Sequence, residues 1–132
     1  MENRHFTIEE TVSLPLFRRL SINPASNRVA YDKINADWDD NEFRSQVWVY
    51  DAEKDYSYPI TDFKTESSMP SWSPDSKTLA YLSNAGKNGE KRRQIFIKRS
   101  LEETTIQITN APDGVDSYKW SPETKFVGGK EI

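Results

Sequence analysis

Hydrophobic residues along the chain form short runs that are separated by turn-forming residues. The runs are rich in β-branched and aromatic side chains, a composition typical of strands; they are Arg28–Ile34, Val47–Asp51, Thr78–Ser83 and Gln94–Lys98. Proline, asparagine, aspartate and glycine separate them, and such residues favour turns; the turn segments are Asn23-Pro24, Pro74-Asp75, Asn84–Gly89 and Ala111–Gly114. The pattern predicts a chain built mainly of β-strands.

Two of these runs are apolar at every position and do not alternate with polar residues. They are Val47–Tyr50 and Ile95–Ile97. A continuous apolar run of this length suits a strand that is covered on both faces. The runs therefore predict sheets stacked face to face.

The first 15 residues follow a different pattern. Thr7 and Glu10 have the spacing of a capping box, in which each side chain closes the first turn of a helix. Pro15 disfavours continuation of a helix through the residue before it. We therefore expect a short helix near residues 8–13.

The sequence repeats itself at a spacing of 48 residues. Trp72-Ser-Pro-Asp75 returns as Trp120-Ser-Pro-Glu123, and Gln46 and Gln94 each open an apolar run (120 − 72 = 48; 94 − 46 = 48). Pro24 and Pro74 lie 50 apart, so one loop differs by two residues between the copies. A unit of about 40–50 residues with four strands is typical of a β-propeller blade.

These observations predict an all-β fold with two consecutive four-stranded antiparallel propeller blades and the start of a third. We divide the chain into an arm (1–15), blade 1 (16–65), blade 2 (66–113) and the opening of blade 3 (114–132). Known propellers close with about four to eight blades, so we expect an incomplete propeller. Unpaired strand edges recruit other chains, so we also expect self-association through blade edges and faces.

The repeated motif has a mechanical role in this interpretation. Pro74 fixes φ for a tight turn, and Asp75 can cap the turn with its side chain. Trp72 is expected to pack between neighbouring sheets. The residues of the structural motif are Trp72, Ser73, Pro74, Asp75, Trp120, Ser121 and Pro122.

Composition removes several classes of function. The chain has 18 Lys and Arg against 21 Asp and Glu, a net charge of −3, so binding to a phosphate backbone is not its main task. It has no cysteine, which excludes disulfides and thiolate zinc sites. No apolar run is long enough to cross a membrane, and no signal-peptide-like stretch is present. We expect no nucleic-acid partner, no membrane partner, no cofactor and a cytoplasmic location.

Four features invite a functional interpretation. Asp37–Glu42 has the first spacings of a calcium loop, but Glu42 stands where that loop needs glycine, so a solvated loop is favoured over a substrate-gating loop or a calcium site. The basic residues of the second blade fit a solvated hairpin loop; they are Lys87, Lys91, Arg92 and Arg93. His5 is favoured as a surface residue. Trp38 is expected to be exposed, whereas Trp48, Trp72 and Trp120 are expected in the core.

At these residues the chain resembles the prolyl-oligopeptidase family of serine hydrolases, of the bacterial acylaminoacyl-peptidase type. The resemblance rests on Trp72–Ser83, Gln94–Ile97 and Ile106–Thr109, and the order of the first blade also matches. The chain departs from the family at Ser76 and Thr124, where glycine is usual, and at Glu123, where aspartate is usual.

The resemblance implies an N-terminal propeller that shields and gates the active site of a C-terminal α/β-hydrolase domain acting on peptides. The catalytic serine of the family lies in a Gly-x-Ser-x-Gly elbow, and this chain contains no such elbow. No catalytic, cofactor-binding or metal-binding residue is therefore assigned, and we expect the chain to be inactive alone. The alternative is a Tol-like propeller module for protein–protein contacts, because such propellers share the Trp-Ser-Pro-Asp motif.

Overall fold

Every element of regular structure in the described residues is a β-strand. The computed structural model describes residues 15–85, 92–122 and 126–128. The strands are β1 (Leu16–Ile22), β2 (Arg28–Asp37), β3 (Glu42–Asp51), β4 (Tyr56–Pro59), β5 (Ser67–Trp72), β6 (Leu79–Ser83), β7 (Gln94–Lys98), β8 (Ile106–Gln107), β9 (Tyr118–Trp120) and β10 (Phe126–Gly128). The helix expected near residues 8–13, with His5, lies outside the described residues.

The strands form three sheets in chain order. Sheet A contains β1 to β4 and sheet B contains β5 to β8, each in sequential order, and β9 pairs with β10 in sheet C. All of these pairings are antiparallel. The prediction of two consecutive four-stranded antiparallel sheets is confirmed.

The hairpin between the second and third strands differs most between sheets A and B. In sheet A, β2 and β3 pair over ten residues each, and the turn spans residues 38–41. In sheet B, β6 and β7 pair over five residues each. The two-residue difference in repeat spacing falls in this hairpin, because Ala30 and Ala80 lie 50 apart and Val47 and Ile95 lie 48 apart.

The sheets stack face to face through apolar side chains. Ala30, Val47 and Val49 of sheet A are fully buried against a face of sheet B. That face presents Trp72, Leu79, Tyr81 and Phe96. The opposite face of sheet B packs on sheet C and on the segment before it, through Ala80, Leu82, Ile95, Ile97, Val115 and Tyr118.

Among the residues that the structure describes, sheet B is therefore covered on both faces and sheet A on one. Gln94 to Ile97 of β7 are buried at every position, as the continuous apolar run predicts. In β3 burial alternates instead, and Trp48 is half-buried with the Lys33 Nζ 3.9 Å from its ring centroid. The described residues include no helix long and apolar enough to span a membrane.

Candidate functional site

The first strands of sheets A and B, β1 and β5, each contain a bulge, and the two bulges lie at equivalent positions of the repeat. The β1–β2 register shifts between Arg18 and Ser21, and the β5–β6 register shifts between Ser68 and Ser71. Arg19 (φ 51°) and Met69 (φ 55°) adopt left-handed backbone conformations within these bulges. Non-glycine residues rarely adopt this conformation, and β-bulges often re-aim a side chain near a functional surface.

Asp32 joins the two bulges. Its carboxylate accepts a hydrogen bond from Arg19 Nη1 at 2.7 Å and another from the Met69 amide at 2.9 Å. The Asp32 side chain is fully buried, whereas the Arg19 side chain is 44% exposed. Burial raises the pKa of Asp32, and the hydrogen bond from Arg19 opposes that shift.

A shallow groove lies where the two inner strands meet. It has a volume of about 280 Å³. Its lining consists of Arg19, Leu20, Ser21, Met69, Pro70, Ser71 and Tyr118. We call it the inner-strand groove. The strands β1 and β5 are the first strands of sheets A and B.

The Trp-Ser-Pro-Asp motif forms the turn between β5 and β6. Asp75 accepts hydrogen bonds from the Ser73 hydroxyl and from the Lys77 amide, and the Thr78 amide donates to Ser73 Oγ. Ser76 adopts a φ of 68°, at the position where the family usually has glycine. In the first sheet Asn23 replaces Ser73 and donates from its Nδ2 to the Ser76 carbonyl, which ties the two turns together.

The tryptophans of the motif pack between sheets. Trp72 is buried in the core between sheets A and B. The Trp120 indole donates to the Ser71 carbonyl at 3.0 Å, and Trp120 packs against the core between sheets B and C. Ser121 and Pro122 follow it directly, and the turn residues 123–125 lie outside the described residues.

In sheets A and B, a glutamine at or near the start of the third strand's apolar run forms hydrogen bonds with a threonine that follows the fourth strand. The Val47 amide donates to Thr61 Oγ1 and the Ile95 amide donates to Thr109 Oγ1. Gln94 is buried, and its side chain bonds both the amide and the carbonyl of Ala111. These polar groups satisfy backbone atoms where the fourth strand ends.

The acidic stretch after β2 forms a network of ion pairs. Asp37 is buried and lies 2.7 Å from Lys64 Nζ and 3.1 Å from Arg44 Nε. Its pKa falls to about 2, mainly because Lys64 donates to it, and Arg44 acts in the same direction. Asp40 contacts the same two cations. The loop is therefore anchored at Asp37 and is not solvated throughout, and Trp38 beside it is 55% exposed as expected.

The described residues contain no group of three or more His, Asp or Glu side chains placed to hold a metal ion. Asp37, the first residue of the calcium-like spacing, instead has Arg44 and Lys64 as its partners. Of the basic cluster, Arg92 and Arg93 are exposed, whereas Lys87 and Lys91 lie outside the described residues.

The chain is similar to known proteins in sequence and in fold. No protein-family model matches the chain. The chain is 31% identical over 104 residues to the uncharacterized peptidase YuxL of Bacillus subtilis (strain 168). That match covers 79% of this chain and 15% of YuxL, so the chain spans less than a fifth of the length of this relative.

Solved structures with the same fold include peptidases. An acylaminoacyl peptidase in complex with Z-Gly-Gly-Phe-chloromethyl ketone matches with a TM-score of 0.69 at 20% identity, over 86% of this chain and 17% of that one. The β-propeller domain of the Trilobed protease from Pyrococcus furiosus matches with a TM-score of 0.66 at 19% identity, over 86% and 32%. A putative TolB from Agrobacterium tumefaciens matches with a TM-score of 0.56 at 16% identity, over 83% and 35%. Together, these matches confirm the resemblance to the propeller part of acylaminoacyl-peptidase-type hydrolases.

Proposed function

We propose that this propeller segment belongs to an acylaminoacyl-peptidase-like serine peptidase of the prolyl-oligopeptidase family, in which it takes no part in bond cleavage. In the whole enzyme it would shield the active site and gate the access of peptide substrates. The observation that carries the proposal is the 31% sequence identity to a peptidase over 104 residues, together with structural matches that cover 86% of this chain.

The geometry of the inner strands supports a gating role. β1 and β5 lie next to each other, and the Ser21 hydroxyl accepts a hydrogen bond from the Trp72 amide. Asp32 adds a second connection between the sheets through Met69. Two sheets that are joined at their inner strands form a continuous wall, and a wall around a channel excludes large substrates by size.

The partner required by this proposal is a C-terminal α/β-hydrolase domain, with a peptide as the substrate. We also propose a cytoplasmic location. The family places its serine nucleophile in a Gly-x-Ser-x-Gly elbow, so the coding sequence beyond residue 132 tests the proposal directly.

The experiment is made on the product of the complete gene. It should hydrolyse a short N-acylated peptide, lose that activity when the elbow serine is changed to alanine, and cleave long peptides poorly. Asp32→Leu in the full-length protein should raise the cleavage of long peptides relative to short ones, because it removes one connection between sheets A and B. Glu53→Gln, in the exposed turn after β3, is the control. Absence of the elbow, or equal effects of both variants on long and short peptides, would refute the gating role.

A second candidate is a Tol-like module that acts through protein contacts. The match to the putative TolB supports it, since it covers 83% of this chain. A complete gene that encodes further propeller repeats and no serine elbow would favour this candidate.

A further inference from the structure

The hairpin that joins β2 to β3 carries two exposed aromatic side chains at its end. Trp38 and Phe43 are 55% and 57% exposed. Both line one groove of about 110 Å³, together with Ala36, Asn41 and the acidic residues beside them. We call residues 36–43 the hairpin tip. Exposed aromatic side chains that share one groove are more typical of a contact surface than of a solvated loop.

The hairpin tip extends past the end of the paired strands in sheet B. The β6–β7 pairing ends at Ser83 and Gln94. Their repeat equivalents in sheet A are Lys33 and Gln46. β2 and β3 each continue for four residues past these positions, which is about 14 Å at about 3.4 Å per residue. The tip therefore lies beyond the described strands of sheet B.

Ion pairs and backbone hydrogen bonds anchor the tip. Asp37 is buried, and its Oδ1 accepts hydrogen bonds from the amides of Asp39 and Asp40 within the turn. Its Oδ2 accepts from Arg44 of the same hairpin and from Lys64 of the segment between the sheets. A surface that is held in place before binding loses less conformational entropy when a partner covers it. The tip is therefore preorganised for contact.

The direction of the strands places the tip on the side where the chain leaves each sheet. β3 begins at Glu42 and β4 runs antiparallel to it, so β4 ends at Pro59 on the same side of sheet A as the tip. Lys64, which follows β4, bonds Asp37 of the tip. β8 ends in the equivalent way in sheet B, because it pairs antiparallel with β7. A domain that follows the fourth strand of a later sheet of the repeat therefore begins on the side of the tip.

The charge of the tip indicates the chemistry of its partner. The tip contains four carboxylates, and two cations pair with them, Arg44 and Lys64, so the surface around the aromatic side chains stays negative. The carboxylates are Asp37, Asp39, Asp40 and Glu42. A complementary surface has an apolar pocket with basic residues around it.

We propose that the hairpin tip docks on the C-terminal α/β-hydrolase domain, with Trp38 and Phe43 buried in an apolar pocket of that domain. This inference rests on the proposed function, which supplies a hydrolase domain after the last sheet of the propeller. The length of YuxL leaves room for such a domain, because the match covers 15% of that protein. The tip then holds sheet A against the domain whose active site the propeller shields.

Photo-cross-linking of the product of the complete gene tests the contact. The photo-cross-linker p-benzoylphenylalanine replaces Trp38, Phe43 or, as the matched control, Tyr56, which is 49% exposed at the other end of the same sheet. Mass spectrometry identifies the linked residues. We expect positions 38 and 43 to link to the hydrolase domain and position 56 not to do so. Links to residues 1–14, links to another propeller sheet, or no links from positions 38 and 43 would overturn the inference.

Limited proteolysis of the same full-length protein measures how much the two aromatic side chains contribute. Trp38→Ser and Phe43→Ser should each raise the rate of cleavage between the propeller and the hydrolase domain at least about tenfold, because burying a large apolar side chain changes an equilibrium constant by that factor or more. The cleavage rate follows the population of the undocked form when docking is fast. Tyr56→Ser should leave the rate unchanged. Circular dichroism melts establish that all three variants remain folded.

Failure of the docking contact and failure of the proposed function give different results. A complete gene without a Gly-x-Ser-x-Gly elbow refutes both. An active peptidase with the elbow, in which substitutions at positions 38 and 43 have no more effect on domain cleavage than the substitution at position 56, refutes the docking of the tip alone.

Discussion

The amide of Met69 donates a hydrogen bond to the buried carboxylate of Asp32, although the two residues lie 37 positions apart in different sheets. Met69 is the left-handed residue of the bulge in β5, so this bond fixes a strained backbone as well as joining the sheets. At the equivalent position of sheet B the chain has Leu82 (82 − 32 = 50). The first copy of the repeat thus has a charged residue, Asp32, where the second copy has the apolar Leu82.

Replacement of Asp32 by leucine should destabilise the protein. The variant restores the residue type of sheet B but leaves the Met69 amide buried without an acceptor, which costs about 1–3 kcal/mol. Asp32→Asn keeps an oxygen for that amide and should lose less. Urea denaturation followed by tryptophan fluorescence compares the two variants. Equal losses would show that the Met69 bond contributes little.

The turn between β5 and β6 offers a stabilising substitution. Ser76 has a φ of 68°, which glycine adopts without steric strain. Ser76→Gly should therefore raise the free energy of unfolding by about 0.5–1 kcal/mol, after the entropy cost of glycine in the unfolded chain. Ser76→Ala keeps the strain and is the control. A gain from alanine as large as that from glycine would contradict the explanation.

The ion pairs of Asp37 predict a dependence of stability on acid pH. The folded state holds the pKa of Asp37 at about 2, below the ordinary value of 3.8, so ionised Asp37 stabilises the fold. That contribution is present above about pH 4 and is lost as the pH falls towards 2. The difference in unfolding free energy between the parent chain and Asp37→Asn should therefore shrink over this range. Asp39→Asn, in the neighbouring turn, is the control, and an unchanged difference from pH 5 to pH 2 would refute the prediction.

Gln94 should matter more for stability than its polar character suggests. Leucine has a similar volume but leaves the amide and carbonyl of the half-buried Ala111 without the side chain that they bond. We expect Gln94→Leu to cost about 2–3 kcal/mol. Gln107→Leu, at a half-buried position on β8, should cost less than 1 kcal/mol. Thermal melts of both variants provide the measurement.

The strands and their order could be predicted because the signal is local and repeated. Val47–Asp51 and Gln94–Lys98 have strong strand composition, and the 48-residue spacing relates them. Gln46 and Gln94 are landmarks of the repeat in the sequence alone. Their role needs the structure, since their partners Thr61 and Thr109 each lie 15 residues further along the chain.

The polar features of the candidate site could not be predicted, because their partners are distant in sequence. Asp32 follows Val-Ala-Tyr in an ordinary strand pattern, and nothing nearby indicates that it will be buried. Arg19 and Met69 adopt positive φ without the glycine that usually marks such a position. The sequence predicts a solvated loop at Asp37, whereas in the structure Asp37 is buried and bonds Lys64, 27 residues away.

Because sheet B is covered on both faces, its backbone hydrogen bonds should open less often than those of β1. Backbone amides in Leu79–Ser83 and Gln94–Lys98 lie between two layers of side chains, whereas those of β1 border an exposed face. Amides exchange with solvent through openings whose free energy rises with the packing that must be broken. Deuterium should therefore enter the middle of the chain last, and the slowest amides of β6 and β7 should report the free energy of global unfolding.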